Sequence, residues 1–262
     1  MKSSPLILEV STRDVHHKSF LVATMHVQDR RAYVHFDKAI ELMDKVELYC
    51  SEVDINQMQL MNVEDAFMMP EGESLRILLG DKKYRKLNMI AQKAFNINLD
   101  FYDRLQPIVT INQLSVNVLS KDFPLPLDVA LWSVAAERAL ELGGLETVED
   151  QKKIMQSLDI DRQLKMLKDI LRNVSKFRDH TLRLVDLFVS GDLHRLYMIS
   201  KKELGKMRKT LIYDRNDHMV EAFMNLHGSK PVMAAVGAGH FAGSQGLISK
   251  LRKKGASLRP AG

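Results

Sequence analysis

The chain of 262 residues holds one cysteine, Cys50. A single thiol excludes an internal disulfide framework and a thiolate metal cage, and it suits a reducing compartment. Long apolar runs are also missing. None approaches the ~18 residues of a membrane span, and the apolar stretch near the start ends at Glu9, too brief for the apolar region of a signal peptide. The expected setting is therefore cytoplasmic, with no transmembrane segment. Aromatic residues make up only 6%, and few lie among the basic clusters Lys152–Lys153, Lys201–Lys202, Lys206 to Lys209 and Arg252 to Lys254. With a net charge of +5 but little to stack bases, these clusters read as solvated helix faces, and no nucleic-acid partner is expected. Neither H-E-x-x-H nor G-x-S-x-G occurs; Gly243-Ser244-Gln245-Gly246 breaks the second pattern. No repeat or low-complexity segment is present. What remains is an ordinary globular composition, 45% hydrophobic and 27% charged, long enough to bury a sizeable core.

The most informative segment is Pro231 to Pro260. Val232 to Val236 is short and wholly apolar, as for a strand covered on both faces. Gly237 and Gly239 end it, His240 follows, and Leu247, Ile248 and Leu251 in Ser244 to Lys254 have helical spacing. Near the other terminus, Phe20, Leu21 and Val22 read as a buried strand, with Ala23, Thr24, Met25 and His26 just beyond. Two such histidines converge only if both strands share one sheet and one carboxyl edge, where open α/β sheets place their ligands. Leu6 to Ser11 and Lys18 to Met25 form a predicted hairpin around an exposed turn, Thr12 to His17. A helix over Phe36 to Lys45 and a strand over Val46 to Val53 then make a right-handed parallel crossover, which brings Glu52 to the edge that carries His26. Cys50, inside that strand, reads as a buried structural thiol.

From Asn56 to about Leu142 the chain is helical and rich in methionine, with Met58, Met61, Met68, Met69 and Met89. Such residues mostly fill cores, and a pliable binding groove is the alternative. Leu127 to Leu142 is a predicted helix carrying Trp132. Gly143 to Thr147 is a short strand or turn that presents Glu146 at its end, unless Glu146 joins Thr147 and Asp150 in capping the next helix. Asp161 to about Ser190 reads as one long helix and Lys202 to Leu226 as another. The expected fold class is α/β, mixed α+β being the variant: a central, largely parallel sheet flanked by helices. We expect one domain over residues 1–262, with 57–142 and 150–226 as a mainly helical cap inserted in the middle. The histidines His35, His180, His194, His218 and His227 are read as surface or helix residues.

Five blocks carry a resemblance: FLVATMHV (Phe20 to Val27), LYCSEVD (Leu48 to Asp54), LGGLETVEDQ (Leu142 to Gln151), DRNDHM (Asp214 to Met219) and VGAGHFAGSQGLISKLRKKG (Val236 to Gly255). In order and spacing they resemble the TraB/GumN family, which includes the pheromone-shutdown proteins and is similar to the Tiki metalloproteases, with erythromycin esterases and haem-binding ChaN-like proteins as more distant relatives. The resemblance covers nearly the whole chain. It implies a metal site built from the histidines of two GxxH motifs and a glutamate. Here those are His26, His240 and Glu52, with Ala23 standing where the first motif has glycine. The Leu-Glu-Thr and Arg-Asn blocks of the family correspond to Leu145, Glu146, Thr147 and to Arg215, Asn216.

Two imidazoles and a carboxylate suit zinc, manganese, cobalt or iron and can leave a position open for water. A metal there lowers the pKa of a coordinated water. Glu146 then serves as general base or orients an imidazole. Arg215 stabilises an oxyanion or grips a substrate carboxylate, unless it merely pairs with Asp214 or Asp217. Asn216 orients or hydrogen-bonds, and Gly237 and Gly239 allow close approach of a ligand. The function so implied is a metal-dependent hydrolase, in particular a peptidase, acting on a small peptide or ester. The alternative is a haem or small apolar-ligand binding protein without hydrolytic activity. Gly237, Gly239 and Ala242 also satisfy a loose dinucleotide fingerprint, but no carboxylate follows at the spacing that a ribose requires.

Overall fold

The computed structural model describes residues 5–60 and 67–262; Met61 of the methionine series lies outside them. Six strands form one sheet: β1 (Ile7–Ser11), β2 (Ser19–Thr24), β3 (Leu48–Val53), β4 (Glu141–Glu146), β5 (Val232–Gly237) and β6 (Ser257–Pro260). Their order is β4-β3-β5-β2-β1-β6. The first three neighbouring pairs are parallel, and β1 runs antiparallel to both β2 and β6. The expected mixed α/β architecture, a mostly parallel sheet flanked by helices, is therefore the observed one.

The central strands are apolar because both of their faces are covered. All six residues of β2 are buried, as are the first five of β5. Helix Leu127–Glu137 packs on β3 and β4, where Trp132 meets Tyr49 edge to face at 6.1 Å, and helix Arg215–Ser229 packs on β4 and β5. Cys50 is fully buried in β3, and burial pushes its thiol up to about 12, in keeping with a structural thiol. Register aligns the strand ends: Thr24 pairs with Gly237, Cys50 with Ala234, and Val53 with Glu146. One edge of the sheet therefore receives every chain segment that follows a parallel strand.

Several predicted boundaries shift. The stretch Asp161 to Ser190 is two helices, Ile160–Arg172 and Val174–Val189, broken where Asn173 leaves helical geometry (φ −131°, ψ 52°). The apolar stripe continues across the break, with Leu164, Leu167, Leu171, Val185 and Phe188 all buried, so periodicity alone does not reveal it. Lys202 to Leu226 is likewise not one helix. Helix Leu193–Leu204 gives way to a 3-10 turn (Gly205–Met207), a π-helical turn (Lys209–Asp214) and then helix Arg215–Ser229. The helix with Trp132 ends at Glu137, and Ala139 follows in the left-handed region (φ 56°). Among the methionines, Met69 is core, whereas Met89 is 63% exposed.

His227 also departs from its expected surface role. It is buried at the opposite edge of the sheet, where its Nδ1 meets the Ser19 hydroxyl at 2.8 Å and its backbone carbonyl lies 2.8 Å from Nε2 of His17. No helix among the described residues is long and apolar enough to cross a membrane.

Candidate active site

The carboxyl edge of the sheet gathers Glu52, Glu146, Arg215 and His240. Glu52 is the penultimate residue of β3. Its Oε1 accepts the Gly237 backbone N–H at 2.8 Å, and its Oε2 takes Nη2 of Arg215 at 2.5 Å. The approach is close: a Cβ at Gly237 would stand 3.1 Å from Glu52 Oε1, so the carboxylate would have to give by a few tenths of an ångström. Glu146 ends β4, and its fully buried carboxylate accepts Arg215 Nε at 3.1 and 2.9 Å, Arg215 Nη2 at 2.5 Å and Gln151 Nε2 at 3.0 Å. The fork of the guanidinium, a rigid array of donors, thus ties together the ends of two adjacent strands. Arg215 opens its helix directly after the π-helical turn, a local distortion of the kind that often re-aims a functional side chain. Its supposed local partners are engaged elsewhere: Asp214 with Lys209 at 2.9 Å, and Asp217 with Lys250. The local-pairing alternative for Arg215 is therefore overturned.

Charge is distributed unequally between the two carboxylates. Burial pushes Glu52 up, but Arg215, His240 and the Gly237 N–H outweigh it and hold the group at about 2. For Glu146 burial wins: its pKa is raised, and Arg215 offsets only part of the shift. Burial works against the Arg215 charge as well, yet the two glutamates keep the guanidinium protonated.

His240 lies on the 3-10 turn Ala238–His240 and is buried. Asn216 fixes its tautomer. The Asn216 amide nitrogen donates to the carbonyls of His240 (3.2 Å) and Gln245 (2.6 Å), so its Oδ1 must be the atom that faces His240 Nδ1 at 2.6 Å. Nδ1 therefore carries the hydrogen and Nε2 keeps its lone pair, 3.5 Å from Nη1 of Arg215. Burial lowers the pKa of His240 to about 4, with Arg215 acting in the same direction and Glu52 against it.

His26 has a different environment. Its side chain is 56% exposed, and Nδ1 sits 3.0 and 2.8 Å from the two oxygens of Asp128. That hydrogen bond raises its pKa against partial burial. A cleft of about 430 Å³ opens beside it, lined by Thr24, His26, Ser51, Glu52, Asp128 and Gln151 among others. Buried Arg215, Glu146 and His240 reach this cleft through Glu52.

The sequence model of the TraB/PrgY/gumN family matches residues 7–260. The chain belongs to this family. It is 23% identical over 305 residues to Metalloprotease TIKI1 of Homo sapiens, with 93% of the chain and 60% of that protein covered. It is 22% identical over 299 residues to Metalloprotease TIKI2 of Danio rerio (90% and 57% covered) and 23% identical over 253 residues to Metalloprotease TIKI1 of Danio rerio (74% and 51% covered). The chain thus spans between 51% and 60% of the length of these curated relatives. No solved structure matches it.

In this TraB/PrgY/gumN chain, His26 and Glu52 share the cleft, while His240 stands with Asn216 and Arg215 in the buried layer. Among the described residues, no group of three or more histidine, cysteine, aspartate or glutamate side chains stands together as a metal shell. The donors nevertheless fit a divalent ion in chemical kind. Both imidazoles place Nδ1 against an oxygen, which turns the Nε2 lone pair of His26 to the cleft and that of His240 toward Nη1 of Arg215 at 3.5 Å, and Glu52 is held ionised. Glu146 faces the guanidinium and neither imidazole. The capping box on the following helix belongs to Thr147 and Asp150, so Glu146 does not cap it. Gly239 shows no close approach beyond ordinary contact with Ser200 Oγ at 3.7 Å.

Two residues of this site escaped the sequence reading. Asp128 falls in no quoted block, and its only local signal is an acidic residue in the first turn of a helix. Gln151, at the end of LGGLETVEDQ, could have been suspected from its place five residues beyond Glu146.

Proposed function

We propose that this chain is a metal-dependent hydrolase acting on a small peptide or ester, with the cleft beside His26 and Glu52 as its substrate site. The observation that carries the reading is the dual position of Glu52, which lines the cleft and is clamped from behind by Arg215 and the Gly237 N–H. The relatives' name, metalloprotease, supports the same chemistry.

In this reading His26, Glu52 and His240 hold the ion, whose identity among zinc, manganese, cobalt and iron is left to availability. A bound divalent ion supplies Lewis acidity and lowers the pKa of a coordinated water. The remaining residues prepare the donors. Asn216 keeps Nε2 of His240 unprotonated, Arg215 and Gly237 fix the direction of the Glu52 carboxylate, and Glu146 holds Arg215 in place. Thr24, Ser51 and Gln151 offer hydrogen bonds to a substrate in the cleft. Gly237 contributes its N–H and its missing side chain, and Gly239 a permissive turn before His240. Val53, Ile55, Met58 and Ala235 line the same cleft, which sets an apolar wall for a substrate side chain beside these polar groups.

The test is metal content by plasma mass spectrometry on wild type, His26→Ala, His240→Ala and Glu52→Gln, each loaded with a mixture of divalent ions and desalted. Near-stoichiometric metal in the wild type, lost in each variant, is the expected result. Folded wild-type protein that retains no metal under any loading condition would end the reading.

A further inference from the structure

We propose that Asp128 is the positioning residue for His26, holding the ring so that Nε2 presents its lone pair to the cleft. The inference rests on the reading of His26 as a ligand. Both Asp128 oxygens stand within hydrogen-bond distance of the same ring nitrogen, at 2.8 and 3.0 Å. A carboxylate has no hydrogen to give, so Nδ1–H is the donor, and in the neutral ring Nε2 is left with its lone pair. Without such a partner a half-exposed imidazole would sample both tautomers and several ring orientations, since nothing else on the chain hydrogen-bonds it among the described residues.

The backbone is built to keep this pair in register. The Leu127 N–H donates to the Val27 carbonyl at 3.2 Å, which joins the first residue of helix Leu127–Glu137 to the residue after His26. The adjoining segments are laced by bonds running both ways: the Phe123 N–H donates to the Gln28 carbonyl at 3.2 Å, Gln28 Nε2 to the Pro124 carbonyl at 2.6 Å, and the Arg30 N–H to Asp122 Oδ2 at 2.9 Å. None of these bonds passes through the Asp128 side chain, so removing its carboxylate leaves the two segments joined. An acidic residue in the first turn also suits the helix dipole, but that role requires no contact with an imidazole. A histidine that presents one nitrogen outward and rests the other on a carboxylate is the usual way to fix ring direction and basicity at a metal site; the buried His240 likewise rests Nδ1 on an oxygen, that of the Asn216 amide.

The test uses the full chain as Asp128→Ala and the near-isosteric Asp128→Asn, beside wild type and His26→Ala. Nitrogen-15 and carbon-13 chemical shifts of the His26 ring, taken at alkaline pH where it is neutral, report its tautomer without any metal. Chelator competition reports the affinity for zinc ion. Wild type is expected to carry the hydrogen on Nδ1. In Asp128→Ala the signal should move toward the Nε2–H form and zinc affinity should fall by about 10–100-fold, with Asp128→Asn between the two. An Asp128→Ala protein that keeps both the Nδ1–H tautomer and wild-type affinity would overturn the proposal. If the tautomer changes as expected while His26→Ala binds zinc as well as wild type, Asp128 stands as the positioning residue and the ligand role of His26 fails.

Discussion

Arg215 Nη2 lies 2.5 Å from Oε2 of Glu52 and 2.5 Å from Oε2 of Glu146, so one guanidinium nitrogen bridges the ends of two neighbouring strands. Arg215 is 8% exposed and the Glu146 side chain is fully buried. Removing the cation leaves two carboxylates uncompensated. Arg215→Met is therefore expected to cost about 3–5 kcal/mol, the usual penalty for breaking a buried pair from one side. Arg215→Lys should restore only part of this, because an ammonium cannot reproduce the fork. Combining Arg215→Met with Glu146→Gln should recover part of the loss. Urea unfolding of the three variants measures each difference.

The glycines beside His240 should respond very differently to alanine. At Gly243, φ is +87° and a Cβ would fall 2.4 Å from the Tyr197 ring; Gly243→Ala should destabilise by at least ~2 kcal/mol. At Gly239 the nearest atom would be Ser200 Oγ at 3.7 Å, and the expected change is within about 0.5 kcal/mol. Gly237→Ala should fall between them, with reduced metal retention because the new Cβ crowds Glu52 Oε1. Thermal melting together with metal analysis tests the ranking.

Acidification should weaken the fold through His240. Its folded pKa of about 4 lies below the ordinary 6.5, so between those values the unfolded chain binds the extra proton and stability rises with pH. The contribution is complete above about 6.5 and is lost as pH falls toward about 4. Glu52, held at about 2, adds a further loss of the same sign only below the ordinary carboxylate range. In His240→Asn, the slope of unfolding free energy against pH between 6.5 and 4 should be shallower than in wild type. Identical slopes would show that His240 does not titrate in this way.

At the opposite edge of the sheet, Ser19 meets His227 Nδ1 at 2.8 Å and accepts the Val232 N–H at 3.0 Å. Ser19→Ala leaves two buried groups without partners and should cost about 1–3 kcal/mol. Metal retention should not change, because Ser19 and Val232 begin their strands and the candidate site lies at the far ends. A loss of metal in folded Ser19→Ala protein would contradict this separation.

The parts of the site that were legible in sequence are those encoded by neighbours in the chain. An apolar run long enough for a covered strand, followed by glycine and histidine, announced His240; a similar run announced His26, and the placement of Glu52 followed from β3. Asp128 was not legible, because its relation to His26 spans 102 positions and no periodicity links them. Nor was His227, whose helix spacing matches a surface residue until Ser19 and His17 are brought against it. The break at Asn173 was hidden because the same apolar stripe serves the helices on both sides.

By itself, then, the sequence determined the succession of strands and helices along the chain, the buried character of β2 and β5, the α/β class and the strand ends that carry His26, Glu52 and His240. These follow from local hydrophobic pattern, which is set by which faces must be covered. Only the tertiary structure decided how those residues are used: that Arg215 serves Glu52 and Glu146 and not its neighbours Asp214 and Asp217, that Asn216 sets the His240 tautomer, and that Asp128 faces His26. Hydrogen bonds and buried charge pairs act over a few ångströms, so their partners are fixed by the packing of distant segments and leave no local trace in the sequence.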